Sequence, residues 1–174
     1  MLDIIIGNAC SLCATVTDAI SASRKTARGV LMVQVLSQLF YGIGAIVLKG
    51  YSAAVQNGVS ILRNLLAAGE KTGRLIEWTL VALAMVLGLY FNNMGIVGLL
   101  PIIANLQYSL AVFRFRNDER KLKFSLLIAV FLFTIFNAFI WNVAGAVSNF
   151  VLFLMTLLFL IQDRKAAGKK PSDE

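Results

Sequence analysis

Ala54-Val55-Gln56-Asn57 and Ala146-Val147-Ser148-Asn149 are near copies set 92 residues apart, each inside an otherwise apolar run. The copy continues without a gap through Val59 and Val151, Leu62 and Leu154, Leu65 and Leu157, and Leu66 and Leu158. That makes seven identities in the thirteen positions from Ala54 to Leu66. An amide held in an apolar helix is costly unless it meets a partner, water or a cavity. The same amide at the same depth of two helices points to two like halves that share a site.

Composition sets the solvent. With 59% hydrophobic and 14% charged residues and a mean hydropathy of +0.79, a 174-residue chain has too little polar surface to cover a water-soluble globule. The apolar runs are Leu2 to Ser21, Gly29 to Leu48, Tyr51 to Ala68, Leu75 to Phe91, Met94 to Phe113, Phe124 to Trp141 and Val143 to Ile161. Each is near the roughly 20 residues that a helix needs to cross a bilayer. None alternates polar and apolar as a barrel strand does. The expected fold is an all-α membrane protein of seven transmembrane helices, in a three-plus-one-plus-three order. Residues 1–70 form the first three-helix repeat, 71–92 a lone inverting helix and 93–162 the second repeat. Residues 163–174 read as a disordered tail. The first run has no basic residues ahead of it and is expected to be a retained helix, not a signal peptide.

Basic residues set the orientation. Arg24, Lys25, Arg28, Lys71, Arg74, Arg114, Arg116, Arg120, Lys121, Lys123, Arg164, Lys165, Lys169 and Lys170 would all fall on one side, and Lys49 alone on the other. Arg63 belongs to the last turns of the third helix. By the positive-inside rule the amino terminus is outside and the carboxyl terminus cytoplasmic, which requires an odd number of crossings. The net charge of +7 then reads as a topology signal, with anionic lipid as partner and no nucleic acid. The short links Lys49-Gly50, Asn92-Asn93 and Trp141-Asn142 make their flanking helices tight antiparallel neighbours. Trp78 and Trp141, near helix ends, suit interfacial anchors.

With an inverting fourth helix, both three-helix units run in the same direction, an arrangement used by transporters. An Asn in the third helix of each half resembles the superfamily of SWEET sugar carriers and PnuC vitamin carriers. Over nearly its whole length the chain more closely resembles bacterial inner-membrane proteins of the YgjV type. That likeness rests on Leu100-Pro101-Ile102, on the run from Ala53-Ala54 to Ile61-Leu62-Arg63, and on Phe136-Asn137 leading into Gly145 and Ala146. The SWEET resemblance implies that Asn57 and Asn149 face each other across a central cavity and hydrogen-bond a solute. The tryptophans that flank the sugar in that pattern have no counterpart here. Phe40, Tyr41, Phe131 and Phe133 stand on the second and sixth helices instead, and the PnuC tryptophan signature is also missing.

The function expected is facilitated diffusion of a small polar uncharged solute, such as a sugar, nucleoside or vitamin, by alternating access. Asn57 and Asn149 lead the candidate solute-binding set, followed by Gln56, Ser148, Asn105, Tyr41 and Asn137, with Ser60 and Gln107 beside them. Asp18 and Arg63 are a candidate inner gate. Pro101, seven residues into its helix, is a candidate hinge. With no His and no acidic residue expected at the midplane, proton coupling is disfavoured. Cys10 and Cys13 lack further ligands for a metal and read as packing residues, so no metal or cofactor is expected. No nucleophile-base pair or phosphate loop suggests an enzyme. A homo-oligomer is compatible with the pattern. The competing class is a receptor or assembly protein that keeps the fold without transporting.

Overall fold

The computed structural model describes residues 1–22, 27–69, 73–115 and 118–167. Among them are seven α-helices and no strand: α1 (Leu2–Ala22), α2 (Ala27–Val47), α3 (Tyr51–Ala68), α4 (Arg74–Tyr90), α5 (Ile96–Arg114), α6 (Glu119–Phe139) and α7 (Val143–Ala167). Three stretches, Leu2–Ser21, Arg120–Phe139 and Val143–Asp163, are long and apolar enough to cross a membrane. Threonines inside these helices satisfy their hydroxyls on the carbonyl four residues back, as Thr17 does on Cys13 and Thr156 on Leu152, so they add no unpaired polar group.

Two elements differ from the apolar runs. α6 starts five residues before Phe124, because the Asp118 side chain accepts from the Lys121 amide at 3.0 Å and caps a basic first turn. α7 runs on to Ala167, so residues 163–167 are helical where a disordered tail was expected. Arg120 and Asp163, 3.9 Å apart, tie that extension to α6. The basic residues Arg24, Lys25, Lys71, Arg116, Lys169 and Lys170 lie outside the described residues, as does the tail from 168 to 174.

The helices form a closed ring. α1 packs on α2, α2 on α3, α3 on α5, α5 on α6 and α6 on α7, and α7 returns to α1. α4 lies outside the ring and covers the α3–α5 seam. At one end, here the corner end, the helices turn tightly at Lys49-Gly50, Phe91–Gly95 and Trp141-Asn142. At the other, the loop end, lie the longer connections and the end of α7.

Two of the corners are built alike, residue for residue, at an offset of 92. The Gly50 amide reaches the Ala45 carbonyl at 2.8 Å, and Asn142 reaches Asn137 at 2.9 Å. Lys49 bonds Ile46 at 3.0 Å, and Trp141 bonds Ala138 at 3.3 Å. This pair of bonds closes a helix end through a residue in the left-handed region. Lys49 and Trp141 occupy it, with φ of 59° and 58°. Each corner carbonyl is then capped by an asparagine distant in sequence: Asn93 Nδ2 donates to Lys49 at 2.7 Å and Asn8 Nδ2 to Trp141 at 3.0 Å.

The corner end is also the packed end. Phe136 of α6, 1% exposed, and Ile140 just past its end meet Ala45 and Ala53 of α2 and α3, with Leu48, Met94, Val97 and Leu100 around them. A side chain of this size in such a place contributes about 3–5 kcal/mol on truncation. A second cluster, Val59 with Leu80 and Ala84, seats α4 on α3. The outer faces carry exposed Ile128, Phe131, Phe150, Val151 and Leu158, a pattern suited to lipid and too extensive for a water-facing surface.

Candidate functional site

Two seams of the ring, α3–α5 and α7–α1, each carry a polar side-chain pair across them. In the α3–α5 seam, Gln56 is 2% exposed. Its Nε2 donates to the Ala84 carbonyl of α4 at 2.9 Å, and its Oε1 accepts from Asn105 Nδ2 of α5 at 2.7 Å. Gly88 makes the room: a Cβ there would stand 2.5 Å from Gln56 Nε2 and 2.9 Å from Ile102. One amide thus ties three helices together.

The α7–α1 seam uses hydroxyls. Ser148 Oγ lies 2.9 Å from Thr15 Oγ1, which donates to the Ser11 carbonyl at 2.9 Å and lies 3.4 Å from the Tyr41 phenol of α2. Tyr41 and Ser37 are polar neighbours of the Asp18 carboxyl group. Ser37 is fully buried, and its hydroxyl also lies 3.0 Å from the Gln34 carbonyl. Nearer the corner end, Asn8 Oδ1 accepts from the Ala144 amide at 2.7 Å.

This geometry corrects one expectation. Asp18 starts only four residues from the end of α1, where a surface ion pair is natural. Ser37, however, lies at the midpoint of the 21-residue α2, about 15 Å from either end at roughly 1.5 Å per residue. A carboxyl group that reaches Ser37 is therefore at mid-depth in the bundle. Helical side chains lean toward their own N-terminus, and this carries Asp18 away from the loop end. An acidic group does occupy the middle of the bundle.

A family model for bacterial inner membrane proteins, Imp-YgjV, matches residues 5–167. The chain belongs to the Imp-YgjV family. No curated protein and no solved structure matches it. The matched span takes in both like corners and both seams, so the features described here lie within the Imp-YgjV match, and its bacterial inner-membrane setting agrees with the apolar outer faces.

Within this Imp-YgjV chain the remaining candidate residues fall in separate places. Asn57 and Asn149 are half-buried, do not bond each other, and make no hydrogen bond to any described residue. Asn57 shares a face of α3 with Ala53, Ser60 and Asn64, beside Gly42 of α2. Asn137 serves its corner, accepting from Asn142 Nδ2 at 2.9 Å. Gln107 and Ser125 bond reciprocally between α5 and α6, at 2.6 and 2.8 Å. Arg63 donates to Asn64 at 3.4 Å and lies near Tyr108 of α5, on the seam away from Asp18, so the two candidate gate residues are not paired in this structure. Pro101 is fully buried inside α5.

A hollow of about 300 Å³ opens at the corner end among Asp3, Leu48, Lys49, Asn93, Ile140 and Trp141, drawing on α1, α2 and α6 and the turn before α5. A groove of about 960 Å³ lies at the loop end, where Gln107, Phe115, Arg120, Lys121, Phe124 and Ile161 contribute from α5, α6 and α7. Neither touches Asn57 or Asn149. Sequence reasoning missed Thr15, Ser37, Asn8 and Asn93 as connecting residues. Thr15 had one available signal: it precedes Asn105 by 90 residues, close to the spacing of the repeat.

Proposed function

We propose that this chain is a carrier for a small polar uncharged solute, working by alternating access between two parallel three-helix units, α1–α3 and α5–α7, with α4 as the inverting helix. The reading places seven helices across the inner membrane, the corner end outside and the loop end, rich in Lys and Arg, in the cytoplasm. Parallel repeats of this kind are a known carrier design, used by SWEET proteins.

The observation that carries the proposal is the likeness of the two seams. Gln56 and Ser148, 92 residues apart, each bond across to Asn105 and Thr15, 90 residues apart. Burial follows the same offset in α1 and α5: Ala14 and Ala104 are both fully buried, and Ser11 and Pro101 nearly so. Next to each seam pair stands an asparagine, Asn57 or Asn149, with its amide uncommitted to any described residue. Two halves joined by like, separable polar contacts are suited to rocking, and the amides beside them are suited to a hydroxyl-bearing solute. The closed corner-end core, Phe136 and Ile140 against Ala45 and Ala53, is then the shut outer gate, and Pro101 a hinge in α5. The solute contacts are hydrogen bonds, with no covalent chemistry and no cofactor. Anionic lipid surrounds the basic end.

The test is uptake into proteoliposomes against a panel of sugars, nucleosides and vitamins. At least one solute should move, and Asn57→Ala with Asn149→Ala should reduce its flux at least tenfold with thermal stability unchanged. If nothing in the panel moves, or if the double variant alters stability alone, the chain is not a carrier of this kind.

A further inference from the structure

We propose that the loop-end groove between α5, α6 and α7 is a binding site for one anionic phospholipid, with its phosphate at Arg120 and Lys121 and an acyl chain along the groove. The site rests on the membrane setting and stands whether or not the chain is a carrier.

The groove exists because of how three helices meet. α5 and α7 each pack on α6, yet among the described residues they do not pack on each other, which leaves a channel of about 960 Å³ along α6. Its walls are apolar: Leu110 comes from α5, Phe124 and Ile128 from α6, and Leu157 and Ile161 from α7. Its uncharged polar side chains, Gln107 and Ser125, answer each other at 2.6 and 2.8 Å. A polar solute would find little to bind there.

The channel opens sideways. On α6, Phe136 marks the side that meets α2 and α3, and Phe124, twelve residues earlier, lies about a third of a turn round from it at roughly 3.6 residues per turn. Phe124 is 58% exposed, and Leu110, Ile128 and Ile161 along the groove are exposed too. Exposed apolar side chains beside an apolar channel suit the hydrocarbon of a bilayer and not a water-filled vestibule.

Charge selects the occupant. Among the described residues, the charged side chains that line the groove are Arg120 and Lys121, both cations on the first turn of α6. From Arg120 to Ile128 is about 12 Å at roughly 1.5 Å per residue, so cations stand at the mouth and apolar side chains below them. A phospholipid presents phosphate and chain in the same order, and basic pockets between transmembrane helices are known to take anionic headgroups. The acidic partners do not stand in the way, because neither Asp118 nor Asp163 lines the groove. Arg120 Nε is 3.9 Å from Asp163, beyond hydrogen-bonding distance, and Lys121 gives Asp118 one of its three ammonium protons at 2.8 Å. Both pairs are exposed, where an ion pair is weak and yields to a phosphate at little cost. A free phosphate would use the cations and leave the channel empty. A zwitterionic lipid would bring a further cation to the two already there, and a second copy of the chain would set like charges together. Once bound, the anionic lipid fills the gap between α5 and α7 and fixes their spacing.

The test is native mass spectrometry of the full chain released from nanodiscs that hold equal amounts of phosphatidylglycerol and chain-matched phosphatidylcholine. The wild type should retain a single phosphatidylglycerol at least tenfold more often than phosphatidylcholine. Arg120→Ala with Lys121→Ala should lower that preference at least fivefold, and Leu157→Trp should expel the lipid by filling the channel. Arg74→Ala, which removes an exposed cation at the start of α4 and outside the groove, should change neither. Equal retention of both lipids by the wild type overturns the site without recourse to any variant. A loss in Arg74→Ala as large as in the double variant overturns it too, since the attraction is then diffuse. Retention unmoved by Leu157→Trp, or by Ile161→Trp should the first fail to fold, places the chain elsewhere and overturns it. Displacement of the lipid by inorganic phosphate, or a lipid-free dimer in its place, names a different occupant and has the same effect.

Discussion

At the scale of single residues, the buried amide of Gln56 makes a sharp prediction. Gln56→Leu removes its bonds to Ala84 and Asn105 and leaves the Asn105 amide buried without its partner, which should cost about 2 kcal/mol. Adding Asn105→Leu should restore most of that, because both partners are then apolar, and a double-mutant cycle in thermal unfolding measures the coupling. Lys49 predicts the opposite sign. It sits at φ 59°, where a Cβ is strained, so Lys49→Gly should stabilise the corner by about 1 kcal/mol in the same assay. The repeated Ala-Val-x-Asn located both asparagines in the sequence but not the division of labour beside them. Helical phase alone could not show that Gln56 and Ser148 bind the neighbouring helix while Asn57 and Asn149 do not. Asp18 was misread for a related reason. Its backbone is near a helix end, and the lean of its side chain toward Ser37 depends on how α1 and α2 are staggered, which no single helix encodes.

At the scale of elements, apolar runs and short links made all seven helices legible, because desolvated backbone must be helical wherever the side chains are apolar. The start of α6 was not legible, since hydropathy sees only the charge of its first turn and not the Asp118 cap. That cap is testable. The Lys121 hydrogen bonds hold the exposed Asp118 carboxyl below the usual carboxylate range, so the charged form is favoured by the helical state. A depressed value stabilises the first turn above the unfolded pKa of about 3.9, with the effect lost as pH falls through the lower folded value. Amide exchange at Lys121 should accelerate over that acid range in the wild type. Asp118→Ala should exchange fast at every pH, and Asp118→Asn, a good cap without a charge, should exchange slowly at every pH. In α5, Pro101 withholds an amide from the Val97 carbonyl. Under the carrier reading Pro101→Ala should leave the fold intact or more stable and slow solute flux severalfold. Unaltered flux would make the proline a static bend.

At the scale of the whole molecule, the ring could not be read from the sequence, because closure depends on which helix finds which across a long separation. Its neighbour order also makes the seams unequal. α4 covers the α3–α5 seam, and among the described residues nothing comparable covers the α7–α1 seam, where Met155 and Phe159 of α7 are exposed. The uncovered seam is therefore the one expected to part first. Cysteines at Thr15 and Ser148, in a background with Cys10 and Cys13 replaced by alanine, should form a disulfide on oxidation. The carrier reading requires that oxidation stop solute flux and that reduction restore it.

The ring also carries a timetable. Its α7–α1 contact joins the earliest of these seven helices to leave the ribosome to the latest of them. While α2 through α6 are being made, Thr15 and Asn8 wait for Ser148, Ala144 and Trp141, which arrive only with α7 and the turn before it. A chain stalled before α7 would thus hold a finished α3–α5 seam under α4 and an unfinished edge along α1, a form that a membrane-bound quality-control protease could tell from the completed protein.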